Sequence, residues 1–300
     1  MKIDLILNYL ECPNCHNARL LAKDSKQLVC GDCHSFYPIT RGVPILLKAN
    51  RLGEQERKQR KWFNQHYSHF SHQKYQLENW RLSMLERVFR IDFADKVKTY
   101  LDIGTGATGY TVIEAAKRKK WLSFGVDISL EAMLKAKSLA QKQGVRDKVI
   151  FLVCSAENLP FKPETFDYIT ALGVLEHLEK DEKAIRNVAK ILKKGGYFYI
   201  CTPNAYRRIW PFLWPIYFYL DKKIGHKRHY SLEGLSQKMK KEGFKLERVF
   251  YNGHLIKLVQ LILGQLHLIG EKTWWRWEKK DINQNSIALQ LNAIYRKEKG

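Results

Sequence analysis

The sequence predicts an α/β protein with a small metal-binding module at its N-terminus. Three observations carry that prediction. Two Cys-x-x-Cys pairs fall within the first 33 residues, Cys12-Pro13-Asn14-Cys15 and Cys30-Gly31-Asp32-Cys33. A β-rich run from Val97 to Ile103 ends in a glycine turn, Gly104-Thr105-Gly106-Ala107-Thr108-Gly109, and a helical run from Tyr110 to Lys120 follows. Further strand-like runs then alternate with helical ones, the pattern of a sheet covered by helices.

Composition bounds the function. Hydrophobic residues make up 45% of the 300, which supports a packed core and excludes a disordered chain. Lys+Arg 52 against Asp+Glu 30 gives a net charge of +22, which favours anionic partners such as nucleic acid, an acidic membrane surface or a phosphorylated substrate. The longest apolar run, Ile209 to Leu220, is shorter than the ~20 residues a membrane-spanning helix needs. No apolar leader with a small-residue cleavage site follows Met1, so a cytoplasmic location is expected.

Fourteen residues separate the two cysteine pairs. Each pair can bend into a knuckle that offers two thiolates to a tetrahedral ion, so Cys12, Cys15, Cys30 and Cys33 are the expected ligands of a structural Zn2+. Disulfides are the alternative, and a reducing cytosol disfavours them. His16 and His34 adjoin the ligands and are read as surface residues, Cys154 and Cys201 as core residues. The following stretch reads Phe36-Tyr37-Pro38-Ile39-Thr40-Arg41-Gly42-Val43-Pro44-Ile45-Leu46-Leu47. With the cysteines it resembles the zinc-ribbon family typified by the activator subunit of tRNA methyltransferases, over about residues 5 to 50. A module this small has little core of its own, so the metal would supply much of its stability.

Residues 51–96 read as a helical linker. Arg51 to Lys61 is strongly charged; Trp62, Phe63, His66, Tyr67 and Phe70, then Trp80, Met84, Leu85 and Val88, recur at helical spacing. They predict two amphipathic helices packed on the next domain or, as a sharper alternative, a lid over a ligand.

Residues 97–300 carry the chemistry. After the glycine turn, a second strand from Trp121 ends in Asp127, where an acidic side chain can take both hydroxyls of a ribose. A third, Val149 to Val153, leads into Cys154-Ser155-Ala156-Glu157-Asn158-Leu159-Pro160-Phe161. A fourth, Phe166 to Ala171, ends at Leu172-Gly173-Val174-Leu175-Glu176-His177; the turn Lys193-Lys194-Gly195-Gly196 precedes a fifth, Tyr197 to Cys201. D-x-G-x-G, the acidic end of strand two, A-E-x-L-P-F, L-E-H and L-K-x-G-G stand in an order and spacing that closely resemble the class I S-adenosylmethionine-dependent methyltransferases, the type 11 group in particular.

That resemblance implies a seven-stranded Rossmann-like methyltransferase sheet and S-adenosylmethionine as cofactor. It implies that Asp102, Gly104 and Gly106 form the methionine-side loop and that Asp127 holds the ribose. Ala156 and Glu157 would lie by the adenine, and Leu172 and Gly173 beside the transferring methyl. Two positions depart from the family: Thr108 stands where many relatives have glycine, and Ser155 where an aspartate often reads the adenine amino group. Glu176 and His177 are the catalytic candidates, His177 as a base for the acceptor's proton. The fuller E-x-x-E-H metal pattern of some relatives is incomplete, because its first position is Gly173.

The acceptor is sought in the rest of the chain. Gly225-His226-Lys227-Arg228-His229-Tyr230-Ser231 resembles an element near the acceptor entrance of type 11 relatives, which makes His226, Arg228 and His229 candidate substrate contacts. Aromatic-basic insertions occupy 205–230 and 254–284, the second with Leu255, Leu258, Val259, Leu261, Ile262, Leu266 and Ile269, then Trp274-Trp275-Arg276-Trp277. From Asn204 onward 19 Lys+Arg against 8 Asp+Glu give an excess of +11. These features suggest a peripheral element in an anionic membrane interface and a small, quinone-type or lipid-linked acceptor. RNA is the runner-up partner, and a non-catalytic zinc-ribbon scaffold a third reading.

Overall fold

A computed structural model describes residues 6–17, 19–47, 52–68, 79–89, 91–266 and 268–298. Phe70 and the side chains of Trp80, Leu258, Leu261 and Ile262 lie outside the described set.

The N-terminal module is a four-stranded antiparallel sheet in sequence order: β1 (Leu20–Ala22), β2 (Gln27–Cys30), β3 (Phe36–Thr40) and β4 (Val43–Pro44). The β3–β4 turn places Arg41 and Gly42 at φ 49° and 70°, the left-handed pair that suits a two-residue hairpin. Helices α1 (Glu54–Ser68) and α2 (Asn79–Phe89) follow, on the amphipathic runs that the spacing marks out.

The remainder alternates strand and helix: β5 (Thr99–Ile103), α3 (Tyr110–Glu114), β6 (Leu122–Asp127), α4 (Leu130–Lys142), β7 (Val149–Val153), β8 (Phe166–Leu172), α5 (Asp181–Ile191), β9 (Leu192–Pro203), α6 (Trp214–Ile224), α7 (Leu232–Lys241), β10 (Phe244–Asn252), α8 (Leu255–Gln265), α9 (Glu271–Asp281) and β11 (Gln290–Lys297). The seven strands order as β10-β11-β9-β8-β5-β6-β7. β5 to β9 pair parallel, and β11 inserts antiparallel between β9 and β10. Strand order reverses between β5 and β8, and such a switch opens a crevice at the carboxyl ends of the strands. All five residues of β7 are buried, as a strand covered on both faces requires.

One sequence expectation changes. Lys193 to Gly196 is not a turn before a strand but part of β9, where the register against β8 shifts between Phe166 and Tyr168. A Cβ on Gly196 would lie 2.9 Å from the Lys193 carbonyl and 3.0 Å from that of Asp167, so glycine lets the irregular strand pass its neighbour.

The ribbon docks on the edge of the large sheet. The Leu46 amide donates to the Val153 carbonyl at 2.8 Å, and Ile45 bridges β7 in parallel. On the other side Glu11 N donates to Pro160 O at 3.1 Å and Lys162 N to Tyr9 O at 3.0 Å. Leu10, Leu28, Tyr37 and Leu46 are buried in one continuous core with Phe124, Phe161 and Phe166. Docking thus covers an otherwise open strand edge and gives the ribbon a core it cannot build alone.

Candidate functional site

A solvent-open cavity of about 840 Å³ lies over the carboxyl ends of β5, β6, β7 and β8. Gly104, Asp127, Ser155, Ala156, Leu172, Gly173 and His177, all singled out in the sequence, meet in its wall. The glycine loop is shaped by its conformation. Gly104 and Gly106 have φ of 71° and 65°; a Cβ on Gly104 would come within 2.4 Å of Val174, and one on Gly106 within 3.1 Å of the Tyr67 hydroxyl.

Two buried carboxylates fix this loop. Asp102 accepts from the hydroxyls of Thr111, Thr170 at 2.5 Å and Thr105 at 3.1 Å. Burial nevertheless pushes its carboxyl up to about 6. Asp127 accepts from Gly106 N at 3.0 Å and Ser129 N at 2.9 Å, and burial likewise raises it to about 6. Asp102 lines an adjoining space with Gly106 and Thr108, a space that Ser155 and Ala156 do not line.

Part of the wall comes from α1, where the sequence pointed to Phe63 and Tyr67 through the lid alternative but not to Glu56 or Gln59. Glu56, Gln59, Phe63 and Tyr67 of α1 close the cavity opposite the strand ends. Glu56 shares a hydrogen bond with the Ser155 hydroxyl, and Gln59 donates to the His177 carbonyl. Glu56 sits in the charged run that reads as a solvated helix start, and nothing in its spacing marks it as a cavity residue.

Leu172, Gly173 and His177 also line a second chamber of about 830 Å³, completed by Met84, Arg87, Glu176, Tyr199, Cys201, Thr202, Pro203, His226 and Gln290. The two spaces therefore meet at Leu172–Gly173. Burial raises the Glu176 carboxyl to about 7, with Thr202 Oγ1 donating at 3.3 Å, and lowers His177 to about 4. His177 is neutral at pH 7 and its Nδ1 has no partner. His226 stacks edge-on to it at 4.7 Å, held by a 2.7 Å bond from Nδ1 to Asp221. One donor atom from each of Glu176, His177 and His226 lies within 4.8 Å of the others, close enough to share a proton or an ion.

Other predicted residues do not join the site. Glu157 Oε1 accepts from the amides of Glu179 and Lys180 at 3.0 and 2.9 Å, and its side chain lies outside the main cavity. Arg228 pairs with Asp181 at 2.6 Å and donates to the Leu178 and Glu179 carbonyls. His229 is held between the Asn204 carbonyl at 2.6 Å and Asp221 at 2.7 Å. Both tie loops together and line neither space. Their spacing beside His226 gave no sign of this, because their partners lie far off in sequence.

The four ribbon cysteines converge, with Sγ atoms within 4.8 Å of one another and Cys12–Cys33 and Cys15–Cys30 each at 3.6 Å. A zinc tetrahedron with arms of ~2.3 Å has edges of about 3.8 Å, so the set fits that ion. Without an ion the thiols differ: hydrogen bonds from the Asn14 amide and with the Ser35 hydroxyl hold Cys33 down to about 5, whereas burial raises Cys12. His16 and His34 are exposed, outside the cluster, at φ 59° and 55°.

An apolar face stands out on the C-terminal half. Phe212, Trp214, Phe218, Tyr219 and Ile224 are exposed in and before α6, Phe218 to 70%, with Lys222 and Lys223 beside them. Leu255, Val259, Leu266 and Leu268 are exposed along and after α8. Trp274, Trp275 and Trp277 are half-buried instead, and Lys257 Nζ sits 5.2 Å over the Trp274 ring. No helix among the described residues is long and apolar enough to cross a membrane.

A family model described as a methyltransferase domain matches residues 94–272. Norajmaline N-methyltransferase of Rauvolfia serpentina is 35% identical over 120 residues, 40% of this chain and 40% of that protein. An uncharacterized methyltransferase, YcgJ of Bacillus subtilis, is 39% identical over 105 residues, 35% of this chain and 40% of its own. The chain thus spans about two fifths of the length of the curated relatives it matches. Among solved structures, geranyl diphosphate C-methyltransferase from Streptomyces coelicolor superposes with a TM-score of 0.58 over 82% of this chain and 99% of that one, at 13% identity, a likeness of fold alone. With the domain match covering more than half of the chain and the strand order agreeing, the chain belongs to the class I S-adenosylmethionine-dependent methyltransferases.

Proposed function

We propose that the protein transfers the methyl group of S-adenosylmethionine to an O or N nucleophile of a small acceptor with an apolar body. The observation that carries this reading is the meeting of two spaces at Leu172–Gly173: one bears the glycine loop and Asp127, the other the Glu176–His177–His226 group. In the first, Asp127 accepts from the ribose hydroxyls and the Gly104–Gly106 loop faces the methionine part. Ser155 and Ala156 border the adenine. Glu56, brought by α1, supplies the carboxylate that Ser155 itself lacks, so α1 serves as a lid.

The sulfonium is an activated donor, and the protein's main task is alignment, worth up to roughly 7–11 kcal/mol. Bound S-adenosylmethionine would supply a methyl group already activated for in-line attack, and His177 Nδ1 would take up the proton the acceptor's nucleophile gives up. Glu176 lies close enough to stabilise the imidazolium that forms. Asp221 acts at one remove, by orienting His226.

The four cysteines hold a structural Zn2+ in this reading. The exposed aromatics around α6 and the lysines beside them rest on an anionic membrane surface and admit amphipathic, quinone-type or lipid-linked acceptors. A cytoplasmic enzyme at the inner membrane face follows. RNA is the second reading, favoured by the ribbon and the +22 charge. It is weakened because the exposed aromatics cluster with aliphatics rather than standing singly in a basic groove.

Calorimetric titration of the zinc-loaded chain with S-adenosylmethionine and S-adenosylhomocysteine, beside Asp127→Ala, is the test. Binding lost in the variant supports the reading. No binding by the unaltered chain sinks it and leaves the scaffold reading.

A further inference from the structure

We infer that the second chamber selects an acceptor bearing an oxyanion, a carboxylate or a phosphate, and that Arg87 is the residue that holds it. The inference rests on the proposed function only for calling the ligand an acceptor.

Arg87 lies in the last turn of α2 and lines the chamber beside Met84 and His177. Its side chain is 10% exposed, yet its Nε is buried without a hydrogen-bond partner among the described residues. A guanidinium carries five donors, and an orphaned one in a largely buried wall is costly unless a ligand or water completes it. Its other contacts leave the charge under-compensated. Nη1 donates to Ser83 Oγ at 3.1 Å and the guanidinium also meets the neutral Tyr199 hydroxyl, and among the described residues the one acidic neighbour within ion-pair range, Glu278, stands 3.9 Å away. Glu278 is shared: its other oxygen is in close contact with the ammonium of Lys257. Two buried cations on one carboxylate leave one positive charge beside the chamber.

The remaining titratable groups of the wall cancel it only in part, since the Glu176 carboxyl is about half ionised at pH 7. His177 is neutral at pH 7, burial lowers His226, and burial raises the Glu176 carboxyl to about 7. Arg87 is therefore the one permanent charge among the described lining residues. Met84, Leu172, Tyr199, Cys201 and Pro203 supply the apolar remainder, which suits a ligand with an apolar body and one acidic group. A planar guanidinium accepts either oxyanion in bidentate fashion, and such charge-assisted bonds are the strong ones.

The test titrates the zinc-loaded full chain, with and without saturating S-adenosylhomocysteine, with probes on one ten-carbon skeleton: geranyl phosphate, geranic acid and geraniol. The two acids are expected to bind at least tenfold tighter than the alcohol, a preference readable on the unaltered chain without any variant. Arg87→Gln should erase that preference while leaving geraniol binding within about twofold, and Arg87→Lys should restore part of it. Equal affinity for acid and alcohol, or an acid affinity that Arg87→Gln does not move, overturns the inference. Inorganic phosphate is the further arm. Displacement of geranyl phosphate by an equal concentration of it shows a site for the free ion and also overturns the inference. Loss of S-adenosylhomocysteine binding with the acid preference intact counts against the cofactor reading alone.

Discussion

Glu56, in the first turn of α1, hydrogen-bonds the hydroxyl of Ser155 just beyond the tip of β7, 99 residues further along the chain. The contact places a carboxylate from outside the sheet domain in the cavity wall beside Ser155 and Ala156, the side proposed for the adenine. Glu56→Gln should weaken S-adenosylmethionine by about 1–2 kcal/mol, or 5- to 30-fold, and Glu56→Ala by at least as much. Calorimetry reads the change, and Lys58→Ala, whose exposed ammonium pairs with Glu54 on the same helix, should leave it within twofold.

Cofactor affinity should fall in acid. The Asp127 carboxyl is raised to about 6 by burial, and the ribose hydroxyls need it ionised as an acceptor. Binding favours the carboxylate, so affinity is full above pH 7 and drops about tenfold per pH unit well below 6. Titrations at pH 8, 6 and 5 check this; a flat profile in the unaltered chain contradicts the ribose role.

Turnover should rise with pH through about 7 and then level. His177, lowered to about 4 by burial, is neutral across that range and contributes no inflection. Glu176, raised to about 7, ionises there and stabilises the proton that His177 takes up. Glu176→Gln should remove the inflection, and His177→Gln should lower kcat about 10²-fold or more with little effect on cofactor binding.

Zinc removal should destabilise more than the ribbon. Leu10, Leu28, Tyr37 and Leu46 share a core with Phe124 and Phe161, so releasing the ribbon uncovers β7 as well. A strong chelator, or Cys12→Ser with Cys30→Ser, should lower Tm by more than 5 °C, because losing even ~2 kcal/mol shifts a domain of this size by about 4–8 °C. Thermal unfolding with metal analysis measures it.

The face around α6 should bind acidic vesicles. Phe218→Glu with Tyr219→Glu should reduce sedimentation with phosphatidylglycerol vesicles at least tenfold, and raised salt should weaken the unaltered chain. Binding to neutral and acidic vesicles alike would remove the electrostatic part.

The local chemistry was legible in the residues themselves. Cysteine spacing singled out four thiols that the fold brings within 4.8 Å of one another, and the glycine turn marked Gly104 and Gly106 as a place for close backbone approach. Asp127 and Leu172–Gly173 were found the same way, because a strand end and the loop after it are continuous in sequence. Helix α1 was open to two readings, since an amphipathic helix looks the same whether it packs on a core or closes a cavity.

Tertiary structure decided everything that depends on approach between distant segments. His226, Arg228 and His229 look alike in the chain, yet only His226 reaches the chamber; the other two are consumed by Asp181, Asp221 and the Asn204 carbonyl. Glu56 and Arg87 sit among ordinary surface charges in the sequence, and only folding brings one to Ser155 and buries the other without a full set of partners. Sequence alone fixed the periodicities and the ligand spacings, which are properties of contiguous backbone. Burial, the pKa shifts it causes and the pairing of charges arise from neighbours the chain brings together only when it packs, and those neighbours decided which residues make the site.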